Sequence, residues 1–219
     1  MSNGKIKVAS DLVSESGSEK LRLIRLKGHK ARQMSHYGAH QADLRYCYEL
    51  LMLLPGKPSD LSSDAIWKTA IITYVKCFCG NKARSTKLQE DVIFKGNEDA
   101  LHVFKYFKNL RNKHLAHDEN DYTTCIPSAS INYGGKPYKV ENIGFIGTTA
   151  LTLDQTTYNN LLKLVIDTNQ WVQEKYNTIT KELNDELEGM PLEKLLAHEE
   201  VGLSMPDLDR IGLTRESEA

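Results

Sequence analysis

A long stretch of helically spaced apolar residues near the C-terminus constrains the fold of this chain more than any other feature. Apolar residues recur there at steps of mostly three or four, the spacing of one buried helix face: Tyr158, Leu162, Val165, Val172, Tyr176, Ile179 and Leu183. Thr152-Leu153-Asp154-Gln155 is a capping-box sequence that opens this helix, and Gly189-Met190-Pro191 ends it. We expect a helix of about 34 residues, long enough to bend or to reach a second subunit.

Three shorter helices and a hairpin precede it. Apolar spacing predicts helices from about Ser35 to Leu54, from Asp64 to Cys79 with Ser63 as the cap, and from Asn97-Glu98-Asp99 to about His117. Residues 122–147 are rich in β-branched and aromatic side chains around Gly134-Gly135, which predicts a β-hairpin. The expected fold is therefore mainly α, a helical bundle with an inserted β-hairpin.

Length and apolar content indicate a globular chain. The 219 residues fit one core with appendages. The longest apolar run, Leu50 to Leu54, is far shorter than the roughly 20 residues that cross a bilayer. The first residues lead into no apolar segment, so we expect no secretory signal and a cytoplasmic location. The cysteines lack the spacing of a structural zinc site and are expected to be reduced, structural thiols: Cys47, Cys77, Cys79 and Cys125.

Charge is unevenly distributed along a chain whose net charge is only −1. Residues 20–32 contain six basic residues and no acidic one: Lys20, Arg22, Arg25, Lys27, Lys30 and Arg32. Residues 182–219 contain eleven acidic and three basic residues, a local balance of −8. We divide the chain into a flexible basic N-terminal arm (1–33), a helical domain (34–190) and an acidic C-terminal tail (191–219). The arm is either a solvated segment or a contact for a polyanion such as RNA.

The predicted third helix becomes polar on its buried face near its end. On an α-helical wheel with Phe107 at zero, the apolar stripe lies within about 60° and consists of Ala100, Val103, Phe104, Phe107 and Leu110. Arg111 and His114 fall inside the stripe at about +40° and −20°, and His117 falls on its border at about −80°. A buried arginine is rare unless it is paired. Either Arg111 pairs with a core carboxylate while the histidines cap the helix, or this end lines a cleft or an interface.

The string Leu110-Arg111-Asn112-Lys113-His114-Leu115-Ala116-His117-Asp118 resembles the R-x₄₋₆-H motif of the HEPN superfamily. In its most typical form, arginine is followed by Asn, Asp or His, then by four residues and a histidine, and Arg111, Asn112 and His117 match it. The Ala-His step is also similar to HEPN-like proteins of the abortive-infection type. The resemblance covers residues 35–188 in helix order but only these nine residues as a motif. It implies a HEPN-like bundle, to which the hairpin is an elaboration.

The resemblance implies a metal-independent endoribonuclease that acts as a homodimer without a cofactor. A toxin–antitoxin or phage-defence setting would add an antitoxin or a nucleotidyltransferase as a partner. His117 would be the general acid and base, because imidazole titrates near neutrality. Arg111 would hold the phosphate through its planar guanidinium, Asn112 would position its neighbours, and His114 could assist. Along an α-helix, Arg111 and His117 are separated by about 9 Å and about 120°, which favours a site shared between two subunits.

Other functions stay open on the sequence alone. The same motif can belong to a HEPN-like protein that binds RNA or a nucleotide, or dimerises, without cleaving anything. His117-Asp118 is also an HD pair, but the additional ligands of a metal phosphohydrolase do not stand out. His36-x₃-His40 is compatible with a metal on a helix, yet we expect His36 to be exposed and His40 to rest at the edge of the buried face. No phosphate-binding G-x₄-G-K-[ST] loop occurs, which argues against a P-loop nucleotide hydrolase.

Overall fold

The computed structural model of the chain describes residues 22–54, 60–80, 84, 86–117 and 119–202. The described elements, in chain order, are α1 (His29–Met52), α2 (Leu61–Lys76), α3 (Glu90–Ile93), α4 (Glu98–Leu110), a π-helical turn (Arg111–Leu115), β1 (Thr123–Ile131), β2 (Val140–Thr149), α5 (Gln155–Glu188) and α6 (Leu192–Leu196). The chain is thus mainly helical with one two-stranded antiparallel hairpin, as predicted. Within the described residues, we find no helix whose length and apolar content would let it span a membrane.

The long C-terminal helix, α5, organises the bundle. Its 34 residues match the predicted length, and it packs along α1 and touches α4. The two helices α1 and α5 run antiparallel, because the Tyr158 hydroxyl at the start of α5 donates to the Leu51 carbonyl at the end of α1 over 3.2 Å. At the other end, Lys30 of α1 pairs with Glu182 and Glu186 of α5 at 2.9 and 2.5 Å.

The core lies between α1, α2, α4 and α5, with α2 at its centre. Its largest side chains are fully buried and come from α2 and α4: Trp67, Tyr74, Phe104 and Phe107. The Tyr74 hydroxyl, which has no access to solvent, shares a hydrogen bond of 3.0 Å with Thr168 of α5. The predicted stripe of α4 is confirmed, since Ala100, Phe104, Phe107 and Leu110 are buried and Val103 is half-buried.

Several predicted helix ends were wrong. Asp60, not Ser63, caps α2, because the Asp60 carboxylate accepts a hydrogen bond of 2.8 Å from the Ser63 amide. The capping box of α5 is Asp154 with Thr157 rather than the one that begins at Thr152. The Thr152 hydroxyl instead accepts a hydrogen bond of 3.1 Å from the Trp67 indole. In each case two capping residues compete within a few positions, and packing decides between them.

Helix α1 begins at His29 rather than near Ser35, so the predicted boundary at residue 33 lies inside it. Lys30 explains part of this extension, since its two glutamate partners lie on α5. The preceding residues form an antiparallel bridge with the tail, in which Ile24 pairs with Glu200. Lys20 and residues 203–219 lie outside the described residues.

The four cysteines are free thiols, and two of them are core residues as predicted. Cys47 and Cys77 are fully buried, and burial raises the pKa of both thiols, for Cys77 to about 12. They stay protonated and behave as small apolar side chains. Cys79 is half-buried. Cys125 departs from the prediction of a structural thiol, because it lies exposed on β1.

Candidate functional site

The segment singled out by the sequence begins where α4 changes its hydrogen-bonding pattern. The α-helix ends at Leu110, and residues 111–115 form a π-helical turn in which the Ala116 amide donates to the Arg111 carbonyl over 2.9 Å. The prediction of one α-helix to His117 was therefore wrong from Arg111 onward. A five-residue step adds one residue to the turn, which rotates the following residues by about 100° relative to an α-helical wheel. Single π turns inside helices occur frequently at functional sites.

Arg111 and Asn112 are brought together at the first position of this turn. The Arg111 guanidinium donates a hydrogen bond of 2.9 Å from Nη1 to the Asn112 side-chain carbonyl, and both residues are half-buried. The Nε of Arg111 is buried and has no hydrogen-bond partner among the described residues. No described carboxylate lies within ion-pair distance of Arg111 either, so the alternative in which Arg111 pairs with a core carboxylate is not found in this part of the chain.

His114 lies against the first residues of the hairpin. Its ring packs edge-on against Tyr122, with centroids 5.4 Å apart and ring planes at 65°. Nδ1 of His114 is buried without a hydrogen-bond partner in the described residues. Ring packing orients an imidazole without occupying its nitrogens, so the buried Nδ1 of His114 stays without a described partner beside the motif.

His117 is the most accessible of the four motif residues. It is exposed, whereas Arg111, Asn112 and His114 are half-buried. Glu119 lies close to His117. Lys113 forms an ion pair with Glu119 and lowers the pKa of its carboxyl, and His117 lowers that pKa further. Asp118, the second residue of the HD pair, lies outside the described residues.

Three neighbours of the motif were missed by sequence reasoning: Tyr106, Glu119 and Tyr122. Burial raises the pKa of Tyr106, and the nearby Tyr122 and Asp154 raise it further. Tyr106 directly precedes the stripe residue Phe107. Glu119 and Tyr122 lie in the connection to the hairpin, where the sequence has no periodicity that would predict their positions. For Tyr122, the available signal was its aromatic ring only a few positions after the motif, within reach of His114.

The two histidines of α1 lie beneath Thr86. Both are buried, at 4% and 1% exposure, so the expectation that His36 is exposed was wrong. Nε2 of His40 bonds the Thr86 carbonyl over 2.8 Å, and Nδ1 of His36 lies 3.2 Å from the Thr86 hydroxyl. Thr86 therefore covers this polar face of α1. In the described part of the chain, no group of three His, Cys, Asp or Glu side chains could hold a metal ion.

The basic residues of the arm are largely engaged by acidic ones. Arg25 and Lys27 pair with Glu199 of the tail at 3.7 and 2.9 Å, and the Arg25 amide donates to the Glu199 carbonyl over 2.6 Å. Lys30 is held by its two glutamate partners on α5. Arg22 is exposed and Arg32 is half-buried within α1. Exposed ion pairs of this kind are weak and screened by salt, so they leave the cations available to a stronger anion.

One cavity of about 260 Å³ lies between α1 and α5 rather than at the motif. It is lined by Leu26, Ala31, Met34, Ser35, Gly38 and Tyr176, none of which belongs to the motif.

Comparison with known proteins adds no relative: no family model, no curated protein and no solved structure matches the chain. The motif residues are therefore the basis for a function.

Proposed function

We propose that the chain is a metal-independent endoribonuclease of HEPN type, with Arg111 and His117 as its central residues. The observation that carries the proposal is the hydrogen bonding of the Arg111 guanidinium. Asn112 binds one of its N–H groups, and its Nε has no described partner, so it is oriented but not neutralised. A guanidinium in that state is suited to hold a phosphate through paired hydrogen bonds.

His117 supplies the acid–base chemistry in this proposal. Its exposure gives an RNA strand access to the imidazole, and the Glu119 carboxylate lies nearby. The imidazole takes the proton from the 2′-hydroxyl, whose oxygen then attacks the adjacent phosphorus. The bond from phosphorus to the 5′-oxygen breaks as the imidazolium returns the proton to that oxygen. Arg111 stabilises the charge that develops on the phosphate oxygens. The products are a 2′,3′-cyclic phosphate end and a 5′-hydroxyl end.

His114 and Asn112 take supporting roles. Asn112 fixes the guanidinium plane through its hydrogen bond, and the packing of His114 on Tyr122 holds an imidazole with an unsatisfied Nδ1 beside the motif. The basic residues at 22–32 would add affinity for RNA but no chemistry. We further propose that the chain acts as a homodimer, as the HEPN resemblance implies. The π turn removes the wheel argument for a shared site, so dimerisation and cleavage need separate tests.

The deciding experiment is RNA cleavage by purified variants. His117→Ala should abolish most cleavage and leave the fold intact, because this side chain is exposed. Arg111→Lys keeps the charge but loses the planar fork, so cleavage should fall about 100-fold or more while RNA binding changes much less. His102→Ala is the matched control, since His102 is an exposed histidine of α4 outside the motif. Cleavage by His117→Ala at the wild-type rate would refute the proposal.

A non-catalytic RNA-binding module is the second candidate, and the partial burial of Arg111 and Asn112 favours it. In that case Arg111 and His114 would hold a bound phosphate or the local fold, and no variant would differ in cleavage because the wild type would not cleave. RNA binding by filter assay, with loss on Arg111→Ala, would then replace the nuclease assignment.

A further inference from the structure

No other described strand lies beside the hairpin of β1 and β2. In the described residues its sheet contains these two strands only, paired from Thr123 with Thr149 to Ile131 with Val140. A lone two-stranded hairpin is at best marginally stable in water, and it presents two open edges. The strands are nine and ten residues long, and every residue of β2 is exposed.

One face of the hairpin is apolar. Because side chains alternate along a strand, the register places one set on a common face: Cys125, Pro127, Ala129, Ile131, Ile143 and Phe145. Ile143 and Phe145 remain 76% and 70% exposed. The opposite face carries mostly hydroxyl, glycine and amide positions around one isoleucine pair, Ile126 with Ile146. The hairpin is therefore amphipathic, and its apolar face is uncovered.

The two open edges differ in their backbone chemistry. The Ala150 amide donates to the Tyr122 carbonyl over 2.7 Å at the base of the hairpin. In an antiparallel ladder, hydrogen-bonded and non-bonded pairs alternate, so the pair Pro127–Phe145 is a non-bonded one whose backbone groups point outward. Pro127 fits this position, because proline has no N–H to offer. The outer edge of β1 is thus interrupted at its middle, whereas the outer edge of β2 keeps its outward N–H groups.

From Asn142 onward, the edge of β2 also lacks protecting charges. Asn142-Ile143-Gly144-Phe145-Ile146-Gly147-Thr148-Thr149 contains no charged residue and no proline. Proteins that avoid edge-to-edge pairing place lysine, proline or a bulge on such a strand. The irregularity of this hairpin lies near its tip, between Ser130 and Ile131, and leaves the rest of β2 regular.

We propose that β2 pairs antiparallel with β2 of a second copy of this chain, with Phe145 opposite the same residue of that copy. In that register Ile143 faces Gly147 of the other copy, and Glu141 faces Thr149, so no like charges oppose each other. The outward N–H and carbonyl groups of Ile143, Phe145 and Gly147 all become paired. A two-fold axis perpendicular to the sheet makes the apolar faces of both hairpins continuous. The result is a four-stranded sheet closed on each outer side by an edge that carries Pro127.

This pairing is independent of the proposed nuclease site. Phe145 lies five residues from Ala150 at the base of the hairpin, so the two bases are separated by roughly 34 Å at about 3.4 Å per residue. The two motif segments therefore lie far apart in this dimer, and Arg111 of one copy cannot reach His117 of the other through it. Loss of the dimer and loss of cleavage are separable results.

Two proline variants at one cross-strand pair test the edge directly. Ile143→Pro removes an outward N–H from β2, and Ala129→Pro removes one from β1, while neither breaks a hydrogen bond within the hairpin. Light scattering at about 100 µM protein should show that Ile143→Pro halves the mass of the wild-type assembly and that Ala129→Pro leaves it unchanged. Ile143→Thr, which keeps the N–H, should retain most of the assembly. Equal masses for wild type and Ile143→Pro would overturn the proposal.

A cross-link tests the register. In the double variant Cys125→Ser/Phe145→Cys, the two introduced thiols would face each other at a Cα separation of about 5.5 Å, which is within disulfide range. Mild oxidation should give a covalent dimer on a denaturing gel. In the wild type, Cys125 lies on the outer strand of the four-stranded sheet, so its thiols should not link. A covalent dimer of the wild type but not of the double variant would instead place β1 or the apolar faces in contact and refute the β2 pairing.

Discussion

His40 should make the stability of this protein depend on pH in a defined window. Its ring is 1% exposed, and Nε2 lies 2.8 Å from the Thr86 carbonyl. A carbonyl only accepts, so Nε2 carries the proton and Nδ1 is bare. Nδ1 is buried without a hydrogen-bond partner in the described residues. A second proton would therefore create both a buried charge and a buried N–H with no described acceptor.

The charged groups around His40 act in both directions. Burial lowers the pKa of His40, the hydrogen bond to Thr86 raises it, Arg84 lowers it, Asp43 raises it and His36 lowers it. The net direction is downward. The pKa of Asp43 is itself lowered by Lys76 and Arg84 against the effect of burial, so Asp43 keeps its charge in mildly acidic solution.

The sign and size of the effect follow from proton linkage. Below about pH 6.5 the unfolded chain binds a proton at His40 that the folded chain does not, so stability falls as the pH falls. The slope cannot exceed about 1.36 kcal/mol per pH unit for one proton. Between pH 7 and pH 5.5 the loss is therefore at most about 1.3 kcal/mol. The loss continues until the pH reaches the folded-state pKa of His40.

Urea denaturation at pH 7.5, 6.5 and 5.5 measures this loss. His40→Gln keeps an amide donor for the Thr86 carbonyl but cannot titrate, so its unfolding free energy should depend less on pH than that of the wild type. His102→Gln, at an exposed position of α4, should follow the wild type. Identical pH dependence in His40→Gln and wild type would show that His40 is not the titrating group.

Three further results are expected. RNA cleavage should be unchanged by EDTA, because the proposed mechanism uses no metal; restoration by magnesium or manganese after loss would favour the HD alternative. Tyr74→Phe should lower the unfolding free energy by about 1–2 kcal/mol by leaving the Thr168 hydroxyl without its partner, whereas Tyr46→Phe, at an exposed position, should have little effect in the same urea titration. Replacing Arg22, Arg25 and Lys27 by alanine should flatten the salt dependence of RNA binding, by up to about 0.7 in the log–log slope for each cation that no longer touches a phosphate; an unchanged slope would mean that the arm does not bind RNA.

The helices could be predicted because their stability comes from one buried face. Apolar spacing predicts the length of α5 and the stripe of α4, and both are observed. Spacing does not determine where a helix begins when polar contacts extend it. Lys30 shows this for α1, since its partners Glu182 and Glu186 lie on α5, at the other end of the chain. The burial of His36 depends likewise on Thr86, which only the tertiary fold brings to it.

The motif residues could be located from the sequence, but their arrangement could not, because the wheel assumed that α4 continues unchanged. On that wheel Leu115 lies about 80° from Phe107, on the border of the apolar stripe opposite to His117. In the structure Leu115 is half-buried and packs against the core. The π turn allows this contact because it holds five residues, so Leu115 lies one full turn after Leu110. The step of five from Leu110 to Leu115 matches this turn, but the sequence does not distinguish it from a continued α-helix, on which Leu115 would also border the stripe.

Leu115→Ala tests whether that turn positions the guanidinium. Removing the side chain takes away the apolar contact that favours the π turn over a continued α-helix, so the Arg111 guanidinium should be held less firmly. RNA cleavage should then fall while RNA binding persists, because the charge of Arg111 is still present. Leu151→Ala, at an exposed position outside the motif, is the control and should cleave like the wild type. Cleavage by Leu115→Ala at the rate of that control would mean that the turn does not position Arg111 for the reaction.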